Sequence, residues 1–145
     1  MNHNTNHLIK NLRQGDVVQA RRKGVNLINH FIYYAGVNKS GEPVFIGNLI
    51  NGGVQYLKPS KLKELLTEYR FDQVRRFTGT QNQREDSVRR AISQIGRPYN
   101  LLTYNCENFV NYAQFGMPSS PQVSKSLNLL IGLVLITGII KLAKS

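Results

Sequence analysis

The sequence predicts an α+β domain. Short β-branched and aromatic segments, divided by Gly- and Asn-rich turns, fill its first half, and two longer stretches at helical spacing follow. Its 145 residues are enough for one domain with a true hydrophobic core.

Residues 1–12 are polar, with several Asn and His, and are expected to form a flexible N-terminus with no apolar signal-peptide core. Residues 13–118 are expected to form the folded domain. Gly15-Asp16 marks a turn before a first strand at Val17–Ala20, and Arg21-Arg22-Lys23-Gly24 a basic turn after it. His30 to Gly36 (HFIYYAG) reads as a second strand, and Asn38-Lys39-Ser40-Gly41 as a hairpin turn. Pro43–Ile50 reads as a third strand, Asn51-Gly52-Gly53 as its turn, and Val54–Leu57 as a fourth strand. Ser60 is a candidate N-cap for a helix over 61–69, and Phe71–Phe77 alternates like a strand. Gln83–Gly96 reads as a helix that buries Val88, Ile92 and Ile95. Cys106–Phe115 reads as a second helix that buries Phe109, Val110 and Ala113, with Gly116 and Pro118 to end it. Residues 119–126, rich in Ser and Pro, are expected to be a linker.

The composition then changes. Leu127 to Ile140 is apolar except for Asn128 and Thr137; Lys125 precedes it, and Lys141 and Lys144 follow. The run falls short of the ~20 residues a perpendicular span needs. A hydrophobic C-terminal helix over 127–143 with snorkelling lysines is expected to anchor the protein in a membrane. The alternative is a packed or oligomerising helix.

The net charge is +11, which draws a protein toward polyanions. An anionic membrane surface fits. Nucleic acid is disfavoured, because the basic residues are scattered and no binding motif is present. A single cysteine excludes an intramolecular disulfide and a Cys-based zinc cluster, and three histidines without HExxH spacing give no basis for a metal. No cofactor is expected.

That lone cysteine is the chief chemical candidate. Cys106 follows Asn105, a good N-cap, and precedes Glu107, well placed in a first helical turn. Exposed N–H groups and the helix dipole favour thiolate there, and thiolate is a nucleophile. The competing account is a small buried hydrophobe. His30 is the base candidate, because its imidazole titrates near neutrality and His3 and His7 lie in the polar N-terminus. A satisfied structural histidine is the alternative. Asn48 lies on the strand after the hairpin, so it could face His30 and fix the ring's tautomer; otherwise it is a turn residue. Tyr99 and Tyr104, through phenol hydrogen bonds, and the N–H groups behind Asn105 are oxyanion candidates, with aromatic packing the simpler account of the tyrosines.

Asn105-Cys106-Glu107-Asn108-Phe109-Val110 resembles the NCEHFV box of the lecithin:retinol acyltransferase-like proteins, within the NlpC/P60 papain-like superfamily. Gly15-Asp16 with His30–Gly36, Ile46-Gly47-Asn48-Leu49, and Tyr99-Asn100-Leu101 resemble further segments of that family in the same order. The resemblance implies an antiparallel sheet packed against helices, of circularly permuted papain-like type, with the histidine ahead of the cysteine. It implies that residues 13–118 are catalytic, with Cys106 as nucleophile, His30 as general base and Asn48 as orienting group. The sequence departs from the pattern at Asn108, where the family usually has histidine, and at Asn48, often histidine in vertebrate members; the second could change the pH profile. The expected function is a thiol acyltransferase or phospholipase acting on acyl esters, phospholipids foremost, through a Cys106 thioester. The catalytic domain is expected at a membrane, facing the cytoplasm. A cysteine peptidase or amidase would use the same three residues, and a non-catalytic membrane-binding module would use none. Acyl acceptor and oligomeric state stay open.

Overall fold

The computed structural model describes residues 11–24, 29–121 and 124–125. Five strands are β1 (Val17–Arg22), β2 (Asn29–Val37), β3 (Pro43–Leu49), β4 (Gly53–Tyr56) and β5 (Tyr69–Arg75). The helices that lie wholly among the described residues are α1 (Pro59–Glu68), α2 (Gln81–Ser93) and α3 (Cys106–Phe115). The strands form one antiparallel sheet in the order β4-β3-β2-β1-β5. The chain is therefore α+β, as its pattern predicts.

Alternation along the strands splits the core in two. Val17, Phe31, Tyr33, Ile46 and Val54 meet Ala91 of α2 and Phe109, Val110 and Ala113 of α3. Val18, Ile32, Tyr34, Phe45 and Leu49 form the other face, under Leu57 and Leu62. The sheet is thus covered on both sides, which explains why the strands read as nearly continuous apolar runs.

The helices depart from expectation in detail. Helix α1 starts after Lys58 with Pro59 in its first turn and has no side-chain cap, so Ser60 lies inside the helix. Helix α2 begins with a capping box between Thr80 and Gln83 and ends at Ser93, so Gly96 lies beyond it. Its buried positions are Arg84, Ser87 and Ala91, with Val88 packed on the core, while Ile92 and Ile95 are exposed. The apolar stripe misled because two polar residues take inside positions with partners of their own: Tyr33 and Ser87 share a 2.6 Å hydrogen bond, and Arg84 reaches Asp16. In α3, Phe109, Val110 and Ala113 are fully buried as expected, and Gly116 closes the helix in the left-handed conformation.

Asp16 ties the sheet to this layer. Its carboxylate accepts from Arg13 N and Arg76 Nη1 on one oxygen, and from Phe77 N and Arg84 Nη1 on the other. Gly15 precedes it at φ +89°, where a Cβ would lie 2.8 Å from the Phe77 ring. Phe77 is drawn into this knot, so β5 ends two residues before it.

Residues 119–126 begin as a packed segment: Asn111 Nδ2 donates to Ser119 O at 2.8 Å, and Ser120 Oγ to Glu107 Oε2 at 2.6 Å. Residues 1–10 and the apolar run 127–140 lie outside the described residues. Among the described residues, no helix is long and apolar enough to cross a membrane.

Candidate active site

Cys106 is the first residue of α3, and the loop before it fixes its position. Asn100 Oδ1 accepts from Leu102 N and Thr103 N, and the Asn100 and Tyr104 backbones exchange two hydrogen bonds. Asn105 Oδ1 then accepts from Glu107 N (2.9 Å) and Asn108 N (3.1 Å), while Asn108 Oδ1 accepts from Asn105 N at 3.0 Å. This reciprocal cap explains the tolerance of asparagine at position 108: an amide oxygen suffices there. Asn105 Nδ2 also donates to Leu101 O and Ser120 Oγ. The N-cap residue thus joins the loop before the helix to the segment after it.

The preceding connection runs along β4. Arg97 O accepts from Val54 N and Val54 O from Gly96 N. Only glycine fits at Gly53, since a Cβ would lie 2.1 Å from Arg97 O and φ is +65°.

Burial raises the Cys106 thiol to a pKa of about 11. Hydrogen bonding from the Phe31 N–H opposes the shift, the Glu107 carboxylate adds to it, and the N–H groups of Glu107 and Cys106 oppose it. The helix terminus was expected to favour thiolate; desolvation outweighs it, and the resting group is a thiol. It lies in the core cluster that holds Phe31 and Phe109.

His30 opposes Ala20 in the register of β1 and β2. By alternation it shares the side of Ile32 and Tyr34, while Phe31 and Tyr33 lie on the side of α3. Its ring packs on Tyr69 with centroids 5.6 Å apart. Burial lowers its pKa to about 4, so the imidazole is neutral at pH 7, and its Nε2 has no hydrogen-bond partner among the described residues.

Asn48 takes a different partner from the one expected. Ile32 pairs with Gly47, so Asn48 falls in line with Phe31 on the α3 side rather than facing His30. Its Nδ2 donates to Tyr104 O at 2.8 Å, two residues before the cysteine, and its Oδ1 has no partner among the described residues. Tyr104 OH donates to Gln94 Oε1, and Arg97 stacks 3.4 Å over the ring, so this phenol is already engaged. Burial raises the Tyr99 phenol, and both Cys106 and Tyr69 push it the same way.

The structure brings Cys106, Asn105, Asn48 and Tyr104 together, with Tyr99 beside the thiol. It does not bring the His30 imidazole to the thiol: that ring lies on the other side of the sheet, against Tyr69. Sequence reasoning missed the thiol's donor, the Phe31 N–H, which the parity of β2 would have flagged. It also missed Arg75: the guanidinium lies 5.7 Å from the Phe31 ring centroid, burial lowers its pKa while Glu107 raises it, and Nε and Nη2 have no partner among the described residues. Nothing local in the sequence singles Arg75 out among so many basic residues.

Residues 45–119, just over half of the chain, match the family model described as Lecithin retinol acyltransferase. Lecithin retinol acyltransferase of Rattus norvegicus is 52% identical over 42 residues, which is 28% of this chain and 18% of the relative. The Homo sapiens protein is 50% identical and the Bos taurus protein 48% over stretches of the same length and shares. The chain therefore spans less than a fifth of the length of these curated relatives. Asn48 and Cys106 fall inside the family match, and His30 precedes it. On that match, together with the Asn-Cys-Glu box at the head of α3, this chain belongs to the lecithin retinol acyltransferase family.

Proposed function

We propose that this protein is a cysteine-dependent acyltransferase or phospholipase that takes an acyl group from a lipid ester through a Cys106 thioester. The observation that carries the reading is a thiol at the first position of a doubly capped helix, in a chain of this family, with backbone N–H groups converging on it.

Cys106 Sγ attacks the ester carbonyl, and His30 takes the thiol proton as the C–S bond forms. His30 is neutral at pH 7 and so free to accept, but burial makes it a weak base and Cys106 a weak acid, so the reading requires substrate binding to bring the two pKa values together. By alternation the ring lies on the opposite side of β2 from Cys106, against Tyr69, so the reading requires the start of β2 to rearrange when substrate binds. The N–H groups of Phe31 and Cys106 are the oxyanion donors, since that of Glu107 is held by Asn105 Oδ1, with the Tyr99 phenol as a further candidate. Collapse breaks the C–O bond, and the alcohol leaves with the proton from His30. The thioester then passes its acyl group to water, an amine or an alcohol. Asn48 holds the loop that carries the nucleophile through Tyr104 O. The chain order, His30 before Cys106, fits the permuted papain-like arrangement. An anionic bilayer is the expected docking surface, with the 127–140 segment as anchor and the catalytic residues on the cytoplasmic side.

The test is intact-mass analysis of the full chain after incubation with mixed-chain phosphatidylcholine and phosphatidylethanolamine. An acyl adduct on Cys106, absent in His30→Ala, is the expected result. No adduct in wild type would sink the reading.

A further inference from the structure

We infer that the loop carrying Leu101 and Leu102 is the part of the folded domain that enters an anionic lipid surface. This rests on the proposed lipid substrate and names the surface by which the site would reach it.

Leu101 and Leu102 are 64% and 67% exposed, two adjacent large apolar side chains that the core leaves in water. The loop is not slack. Asn100 Oδ1 holds the Leu102 and Thr103 amides, Asn100 and Tyr104 pair across it, and Leu101 O accepts from the Asn105 side chain. The leucines are therefore displayed by a hydrogen-bonded turn, one that also caps the helix of Cys106. A backbone satisfied within itself can enter a bilayer interface at less cost than one that must shed water.

Two further features point to lipid as the occupant. The same Asn105 side chain holds Ser120, and in the sequence the apolar run 127–140 begins seven residues after it. The leucine turn and the root of that run are thus tied to one residue. Basic groups flank them: exposed Arg97 in the connection before the loop and exposed Lys125 after Ser120, in a chain of net charge +11. Ile50, 77% exposed, sits on the turn after β3, which Asn48 ties to Tyr104.

The chain has no tryptophan, so Leu101→Trp gives a single reporter. The full-length variant is mixed with vesicles of phosphatidylcholine and phosphatidylglycerol whose acyl chains carry bromine. Val37→Trp serves as the comparison, because Val37 is 62% exposed at the far end of β2, roughly 20 Å along the strand from His30. Strong quenching of the first reporter and little of the second is expected. Equal quenching, or none at Leu101→Trp, overturns the inference. In a second arm, Leu101→Ser/Leu102→Ser should form the Cys106 adduct from vesicle lipid about tenfold or more slowly, at an unchanged rate from a soluble short-chain ester. A vesicle rate equal to wild type also overturns it. Quenching without any adduct from either ester in wild type would keep the docking surface and remove the acyl-transfer reading.

Discussion

Two buried polar regions of this protein differ in how their central groups are held. At Asp16 both carboxylate oxygens have two donors each, drawn from three parts of the chain. Asn48 Oδ1 and two nitrogens of Arg75 on the α3 side of the sheet, and His30 Nε2 on the other, lie buried without partners among the described residues, as do Arg84 Nε and Gln114 Oε1 beside the Asp16 knot. Native interiors pair nearly all such atoms, so each exception calls for an explanation. The carboxylate of the first region is saturated by donors and ties the sheet to the helices. Asn48 and Arg75 lie near the cysteine, where the proposed chemistry would engage their open atoms.

The sharpest way to break that contrast is at His30. Replacing a general base typically costs 10²- to 10⁴-fold in rate. His30→Ala should lower thioester formation by about that factor and leave the melting temperature unchanged or higher, because a buried ring with an unpaired nitrogen is lost. Cys106→Ala should abolish the adduct with equally little effect on folding. Asp16→Ala should do the reverse in kind. It strands Arg84, whose side chain is almost wholly buried, and breaking a buried ion pair costs about 3–5 kcal/mol, which urea unfolding would read. If Asp16→Ala unfolds like wild type, the carboxylate is not the knot described here.

The pH dependence of stability is the next test. The unfolded imidazole titrates at 6.5 and the folded one at about 4. Between those values the unfolded chain binds more protons, so stability falls as pH drops through that window, by about 3 kcal/mol in all. Denaturant midpoints measured from pH 7 to 4 should show the fall, and His30→Ala should remove most of it. The thiol acts at the other end of the scale. Its folded pKa lies near 11 against an ordinary 9.0, so alkylation of the free enzyme should stay slow at pH 8 and climb toward pH 11. Alkylation with a pKa below 8 would mean that the thiolate is held by a partner absent from this geometry.

Much of this was legible in the chain. Alternation and turn residues gave five strands close to their places, and Asn105 and Gly116 marked both ends of α3 because caps are local chemistry. Long-range pairing was not legible. Register decides which side of the sheet a residue faces, and one residue of register separates Asn48 opposite His30 from Asn48 in line with Phe31. Asp16 read as a turn residue because three of its four donors come from distant segments and leave no periodic mark. Burial likewise set the thiol's state. The helix terminus favours charge by an amount visible in sequence, whereas desolvation depends on every element packed around it.

The smallest effect is also the most discriminating for the site's architecture. Asn105→Ala removes the cap of α3 and should cost about 1 kcal/mol of stability, as caps usually do. Thr80→Ala removes the cap of α2 and should cost a similar amount. If the two helices were equivalent, equal losses in stability would bring equal losses in activity. They are not equivalent, because Asn105 also holds Leu101 and Ser120 on either side of the cysteine, whereas Thr80 borders no reacting group. Asn105→Ala should therefore slow acylation well beyond its effect on stability, and Asn105→Asp, which keeps the oxygen that caps and loses the amide donors, should restore the melting temperature without restoring the rate. Matching rates in Asn105→Ala and Thr80→Ala would reduce Asn105 to an ordinary helix cap.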